Sequence, residues 1–114
     1  GYNKIALAHH MDDIVETMLL NLFFNGEIAT MHPCQEMFDG ELAIIRPLAY
    51  VEEDEIKRIA NALELPVIAS ECPRSGISKR SLIKGIIKEM QRHNKNVKKN
   101  LFRSLERVRK DYLL

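Results

Sequence analysis

The chain has 114 residues, of which 46% are hydrophobic and 29% are charged, with a net charge of +1. This composition is that of a single globular domain and excludes a disordered chain. No apolar run approaches the roughly 20 residues that cross a bilayer, and no signal-peptide pattern is present, so we expect no membrane partner.

The first predicted elements are a strand and an amphipathic helix. The segment KIALA (4–8) is short and apolar, which predicts a buried parallel strand. Apolar residues then recur at spacings of three and four over residues 11–23, which predicts a helix, and Gly26 is the residue type that commonly follows a helix end. Residues 27–41 show no clear period, so we predict a loop with about one helical turn.

A second strand and helix follow. Residues 42–51 predict a strand that stops or bends at Pro47, because proline cannot donate to a central ladder. Residues 52–65 predict a helix whose acidic start suits the helix dipole. Residues 66–69 predict a brief third strand and residues 70–76 a loop.

Two basic helices end the predicted fold. Ser78 is a predicted N-cap, and a further apolar stripe runs from Val97 to Tyr112 after a break at 92–96. The element order predicts an α/β fold with a parallel sheet followed by a helical pair. We expect the α/β part to occupy residues 1–77 and the basic helices residues 78–114.

Charge is distributed unevenly along the chain. Residues 1–78 hold 5 Lys and Arg against 13 Asp and Glu, whereas residues 79–114 hold 12 against 3. A basic arm on an acidic body points to a polyanionic partner, and nucleic acid is the polyanion we predict. A solvated helical face is the alternative interpretation.

The stretch LAHHMDDIVETMLLNLFFNG (7–26) contains the strongest candidate site. His9, His10, Asp12 and Asp13 follow a predicted parallel strand, and open α/β sheets bind ligands at that end of their strands. The residues suit Mg²⁺ coordination, anion binding at helix amides, or acid–base catalysis. The alternative is that the aspartates cap the helix and the histidines fill a polar turn.

Both cysteines have alternative interpretations. Cys72 lies in the predicted loop before a basic helix, where its side chain can reach a site shared with another part of the protein. A buried structural cysteine is the alternative. Cys34 is interpreted as structural. Two widely spaced cysteines do not indicate a secreted disulfide scaffold, so we expect a cytoplasmic, reducing environment.

ALAHHMDDIVETMLLNLFF resembles the second signature of PP-loop ATP pyrophosphatases, most closely tRNA sulfurtransferases of the tRNA 2-thiocytidine synthetase type. IIRPLAYVEEDEI, LPVIASECPRS and the basic helices continue the resemblance over nearly the whole chain. The first string also occurs in tRNA-isoleucine lysidine synthetases, whereas the second and third narrow the choice to tRNA thiolation enzymes.

The resemblance implies a fold, an activity and site residues. The fold would be the C-terminal part of a Rossmann-like (adenine nucleotide alpha hydrolase-like) sheet. The enzyme would adenylate a cytidine or uridine carbonyl of tRNA with ATP and Mg²⁺, and a sulfur donor would then supply the sulfur that displaces AMP. By this correspondence, His9, His10 and Asp13 would bind the nucleotide, Asp12 and Asp13 would be catalytic, and Asp12 would bind Mg²⁺.

The resemblance also implies an iron–sulfur cluster and an RNA-binding surface. Cys72 would be one ligand of a 4Fe–4S cluster whose other ligands come from a C-x-x-C pair. The single-cysteine loop ECPRS looks nearer to tRNA 2-thiouridine enzymes than to cytidine enzymes. The residues expected to contact tRNA are Arg74, Lys79, Arg80, Lys84, Lys88, Lys98, Lys99 and Arg103.

Two family features are absent from the sequence, namely the Ser-Gly-Gly-x-Asp-Ser phosphate loop and the C-x-x-C pair. We therefore expect a portion of a longer enzyme that is inactive alone. Its incomplete sheet should expose apolar surface and associate, as a homodimer or through a missing N-terminal half. The rival functions are a lysidine-synthetase-like ligase, a non-catalytic RNA-binding module and, more weakly, a metal hydrolase.

Overall fold

The computed structural model describes residues 1–67 and 78–114 as a small mixed sheet with four α-helices. The elements are β1 (Lys4–Ala6), α1 (Met11–Leu20), β2 (Cys34–Met37), β3 (Leu42–Ile45), α2 (Glu53–Ala62), α3 (Lys79–Gln91) and α4 (Val97–Ser104). A π-helical turn (Asn21–Asn25) continues α1, and a 3-10 turn (Lys110–Tyr112) follows α4. None of these helices is long and apolar enough to cross a membrane.

β3 is the central strand of the sheet, whose order is β1-β3-β2. β1 pairs with β3 in parallel, with Ile5 opposite Ile44, as predicted. All three residues of β1 are exposed, so the prediction that this strand is buried was wrong for the described residues. β2 pairs with β3 in the antiparallel sense, so the sheet is mixed where a parallel one was predicted. The reason is that β2 and β3 are joined by a hairpin, which parallel strands cannot use.

The prediction of a loop over residues 27–41 was wrong for β2. Its sequence Cys-Gln-Glu-Met has no apolar alternation and is mostly exposed, so it carries no strand signal. The strand depends on the turn that pairs it with β3, in which Phe38, Asp39 and Gly40 all have positive φ. Gly40, at φ +87°, adopts this conformation without the steric cost that a side chain would add.

Helix ends follow the sequence signals closely at two positions. Gly26 stands in the left-handed region at φ +68° and ends the π-helical turn, as predicted. Ser78 caps α3 as predicted, since its Oγ accepts a hydrogen bond from the Ser81 amide at 3.2 Å. α4 ends at Ser104, so the prediction of a helix that continues to Tyr112 was too long.

Not every predicted element falls on the described residues. β3 ends before Pro47, as predicted. Pro66 and Val67 are not in a strand, and the remainder of the predicted third strand lies outside the described residues. The predicted loop with Cys72 and Arg74 also lies outside them.

α1 is the centre of the hydrophobic core, where its apolar face packs against α3 and α4. Ile14, Val15 and Ile83 are at most 2% exposed, and each contributes roughly 1.5–3 kcal/mol by burial. Tyr50 packs edge-on against Phe102 of α4, with ring centroids 5.4 Å apart. The basic helices therefore share one core with the acidic body.

Apolar surface remains exposed at the sheet and on several helices, as the sequence analysis predicted. β1 is an edge strand that pairs only with β3 in the described residues, and its Ile5 is 46% exposed. Large apolar side chains at least half exposed on or beside helices include Phe23, Ile28, Ile59, Leu63, Leu65, Val67 and Leu82.

Candidate active site

The two parallel strands end at one edge, where His9 meets Arg46. Arg46 Nε donates a hydrogen bond to His9 Nδ1 at 3.2 Å, and its Nη1 donates to the carbonyl of His32 at 2.6 Å. Sequence analysis did not select Arg46, although its place directly after β3 is the signal that could have found it. The His-His-x-Asp-Asp string thus stands at the carboxyl end of the sheet.

Asp13 is the third residue of α1, and its side chain caps the start of that helix. Its Oδ2 accepts a hydrogen bond from the His10 amide at 2.9 Å and lies 3.4 Å from His10 Nδ1. Within the described residues that imidazole nitrogen is buried without a hydrogen-bond partner, and Asp13 Oδ1 has none either. The Asp13 side chain is 25% exposed, so one carboxylate oxygen is engaged and the other is available to a ligand.

Asp12 links three helices and is only 7% exposed. Its Oδ1 accepts a hydrogen bond from the Glu53 amide, the first residue of α2, at 2.9 Å. Its Oδ2 lies 2.7 Å from Lys98 Nζ of α4. The carboxylate therefore caps a neighbouring helix and pairs with a buried lysine at the same time.

These contacts determine how Asp12 titrates. Burial alone would raise the pKa of Asp12, but the Glu53 amide and the Lys98 ammonium outweigh burial and hold the pKa below its usual range. Burial would likewise lower the pKa of Lys98, whereas the Asp12 carboxylate raises it above its usual range. Both shifts favour the charged pair over a neutral one.

We predict that the free energy of unfolding of the chain falls as the pH drops below about 4. A carboxyl group whose folded pKa is lowered contributes stability above its unfolded pKa and loses it as the pH falls through the folded pKa. Asp12 and Glu53 both have lowered pKa values. Urea unfolding between pH 7 and pH 2.5 measures the effect, and Asp12→Asn should give a shallower decline. Equal slopes for both proteins would contradict it.

Glu16 is a buried carboxylate that sequence analysis missed. It is 2% exposed, with Oε1 at 3.2 Å from Arg80 Nη1 and Oε2 at 2.7 Å from Lys84 Nζ, both of α3. Arg80 also donates to Thr17 Oγ1 at 3.0 Å. The signal was that Glu16 lies four residues after Asp12, which places both carboxylates on the same helix face.

Asp12, Glu16 and Glu53 bring carboxylate oxygens within 4.8 Å of one another, the spacing of a metal site. Their charges are already compensated, because Lys98, Arg80 and Lys84 pair with them. A Mg²⁺ ion bound there would have to displace these ammonium and guanidinium groups. With these ion pairs in place the cluster does not fit Mg²⁺, which needs several free oxygen ligands.

The predicted RNA-contacting residues fall into two groups. Arg80, Lys84 and Lys98 are engaged in the ion pairs just described, and Lys99 lies 3.9 Å from Glu52. Lys79 stacks over Phe24 at 4.7 Å. In the part of the chain that the structure describes, Lys88 and Arg103 have no carboxylate within 4.0 Å. Part of the charge asymmetry is thus balanced inside the chain, and the RNA contacts stay predictions.

Comparison with known proteins identifies the family. Residues 1–90 match the PP-loop domain. The chain belongs to the PP-loop family. A solved PP-loop relative, described as the U34-tRNA thiolase NcsA from Methanococcus maripaludis with its 4Fe–4S cluster, matches with a TM-score of 0.70 at 26% identity. The likeness covers 92% of this chain and 36% of that one.

Curated relatives are closer in sequence than this solved structure. The chain is 44% identical to the tRNA-cytidine(32) 2-sulfurtransferase of Geobacter sulfurreducens and 38% identical to that of Burkholderia lata, over all of its length in both cases. It spans only 45% and 35% of those two proteins. Residues 91–114 thus lie beyond the PP-loop match but within the match to the sulfurtransferases.

Proposed function

We propose that this PP-loop chain is part of an ATP-dependent tRNA sulfurtransferase that thiolates a cytidine. The observation that carries the proposal is the match of the whole chain, including α4, to tRNA-cytidine(32) 2-sulfurtransferases. The alternative target is a uridine, as in the structural relative, which is less similar. The sulfurtransferases named above support thiolation over a lysidine-synthetase-like ligase.

The proposed reaction exchanges oxygen for sulfur at C2 of the base. The carbonyl oxygen attacks the α-phosphorus of ATP, pyrophosphate leaves, and an O–P bond forms. A sulfur nucleophile then adds at C2, and AMP leaves with the former carbonyl oxygen. ATP, assisted by Mg²⁺, would supply the adenylyl group, and a 4Fe–4S cluster would hold the sulfur.

The edge of the sheet contributes the positioning groups of this site. Asp13 offers one free carboxylate oxygen at the N-terminus of α1, whose first amides have no acceptor within the helix. We propose that His9, His10 and Asp13 face the nucleotide in a Rossmann-like domain of the whole protein. Arg46 would fix His9 through the 3.2 Å hydrogen bond.

We assign Asp12 a positioning role rather than direct Mg²⁺ binding. Both of its oxygens are already engaged, by the Glu53 amide and by Lys98. Through these contacts Asp12 fixes the start of α2 and the start of α4 against α1. The catalytic contribution of Asp12 would then be indirect, and Asp13 would be the residue that contacts the reacting groups.

The remaining parts of the proposal concern partners. We propose that residues 78–114 help hold tRNA in the cytoplasm through cations that are not paired with the body. We further propose that the rest of the whole protein covers the free edge of β1 and the exposed Ile5. An apolar edge strand left in water would otherwise invite association.

The test is thiolation by the whole protein under anaerobic conditions. With unmodified tRNA, Mg²⁺-ATP and a sulfide donor, nuclease digests should contain 2-thiocytidine by mass spectrometry. Appearance of 2-thiouridine instead would change the target base. ATP-dependent modification without sulfur, in a protein without iron, would indicate a lysidine-type ligase and contradict the proposal. Absence of any ATP dependence would indicate an RNA-binding module.

The same preparation tests Cys72, which lies outside the described residues. Cys72→Ser should abolish the visible absorbance of the cluster after anaerobic reconstitution and remove the thionucleoside. Cys34→Ser is the matched control, because Cys34 is an exposed residue of β2 that no predicted site includes. Unchanged absorbance in Cys72→Ser would assign that cysteine to packing.

A further inference from the structure

Three arginines surround a depression of about 540 Å³ at the end of α4. The lining residues are Asn100, Arg103, Ser104, Arg107, Val108 and Arg109. Within residues 1–67 and 78–114, no carboxylate lies within 4.0 Å of any of these guanidinium groups. Arg80 and Arg92 differ in this respect, because they pair with Glu16 and Glu89.

The fold alone does not account for three cations in one concavity. A helix C-terminus favours one cation in its last turn, and Arg103 occupies that position. Arg107 and Arg109 follow the end of the helix at Ser104, so the dipole does not explain them. Arg109 is held over the ring of Tyr112 at 4.3 Å, which orders its guanidinium plane without neutralising the charge.

We propose that this arginine pocket binds a backbone phosphate of the tRNA substrate. Guanidinium groups donate two parallel hydrogen bonds to phosphate oxygens, a geometry that ammonium groups lack. Asn100 and Ser104 add polar groups to the wall of the pocket. An RNA phosphodiester supplies the anion that the described residues around the pocket do not.

Two observations favour RNA as the source of the phosphate. The pocket lies in residues 100–109, beyond the PP-loop match at residues 1–90 but within the match to tRNA sulfurtransferases. It also begins on the last turns of α4, the helix that reaches the candidate active site, since Lys98 of α4 contacts Asp12. Arg103 lies five positions after Lys98 in the helix, a distance of about 8 Å along the axis.

The inference rests on the proposed function, because it takes tRNA as the ligand, and it is tested by binding rather than by turnover. A triple variant of the whole protein removes all three charges: Arg103→Gln, Arg107→Gln, Arg109→Gln. Its Kd for unmodified tRNA should rise about 10- to 30-fold near 0.15 M salt. The slope of log K against log salt should become shallower by about 2 to 3. Fluorescence anisotropy over a salt series measures both.

The matched control removes three cations that already pair with neighbouring carboxylates. Lys57→Gln, Arg58→Gln, Arg92→Gln changes the net charge equally, and these side chains are 71–77% exposed. Binding should stay within a factor of about three of wild type in this control. Equal losses in both triple variants would show that only net charge matters and would overturn the pocket.

A single variant keeps the inference testable if the triple variant fails to fold. Arg107→Gln changes a residue that follows the helix end, and it should reduce the salt slope by about 0.7 to 0.9. An unchanged slope would overturn the inference. It would indicate that the arginines bind an acidic protein surface instead of RNA. If wild-type protein fails to bind or thiolate tRNA, the proposed function fails. If wild type does both and Arg107→Gln binds equally well, only the pocket fails.

Discussion

Replacing Asp13 by alanine in the whole protein should reduce thiolation by about 10²- to 10⁴-fold, the usual contribution of a positioned acid–base group. The reason is Asp13 Oδ1, because it is the carboxylate oxygen of the acidic pair that has no partner among residues 1–67 and 78–114. tRNA binding should be retained, since Asp13 lies on α1 and not on the basic helices. Thionucleoside yield and anisotropy measure the two quantities.

Measuring the free energy of unfolding distinguishes a catalytic role of Asp13 from a role in capping α1. Loss of the cap contact to the His10 amide should cost about 0.5–2 kcal/mol, which urea unfolding measures. Asp12→Ala is the comparison, because it should lose thiolation together with a larger part of the stability. It removes the 2.7 Å partner of the buried Lys98 and leaves only the longer 3.8 Å contact with Glu52 among the described residues. Normal thiolation in both variants would refute the assignment of the site. Activity loss that tracked unfolding in Asp13→Ala would reduce its role to capping.

Removing the two cations that pair with Glu16 should destabilise the chain by about 3–5 kcal/mol. In the double variant Arg80→Met, Lys84→Met, the carboxylate of Glu16 stays 2% exposed and loses both partners. A buried charge without a partner costs far more than the pair contributes over an apolar replacement. Urea unfolding at pH 7 measures the difference.

A triple variant that also replaces Glu16 tests whether the unpaired buried charge causes the loss of stability. Adding Glu16→Met to the double variant should restore most of the lost stability, because no charge then remains buried and the volume is filled. Arg92→Met is the surface control. It breaks an exposed pair with Glu89, with side chains 75% and 59% exposed, and should cost less than about 1 kcal/mol. Failure of Glu16→Met to rescue would assign the loss to packing of the Arg80 and Lys84 stems.

The acidic pair, Asp12 and Asp13, shows what local sequence determines and what it does not. The place of Asp12 and Asp13 followed from local pattern, because an apolar run and a helix start predict the end of a parallel strand. Their difference in role did not follow. It depends on Lys98, which is 86 positions from Asp12 along the chain. No periodicity links residues so far apart, so only packing could show which carboxylate is engaged.

The uneven charge shows the same limit. The sequence located the excess of cations in residues 79–114, and this predicted a polyanionic partner. The structure divides those cations, since Arg80, Lys84 and Lys98 neutralise carboxylates of the body while Arg103, Arg107 and Arg109 surround a depression. Composition counts charges, but pairing depends on distances that composition does not contain.

The sequence by itself determined the helix starts and ends at Ser78 and Gly26, the strand-edge place of the histidines and aspartates, and the resemblance to PP-loop enzymes. These depend on neighbouring residues, whose effects on the backbone are short-range. Only the tertiary structure decided that β2 pairs with β3, that Glu16 is buried between two cations, and that Asp13 Oδ1 has no hydrogen-bond partner among the described residues. Each of these depends on contacts between distant parts of the chain, because burial and hydrogen bonding act on whatever the fold brings together.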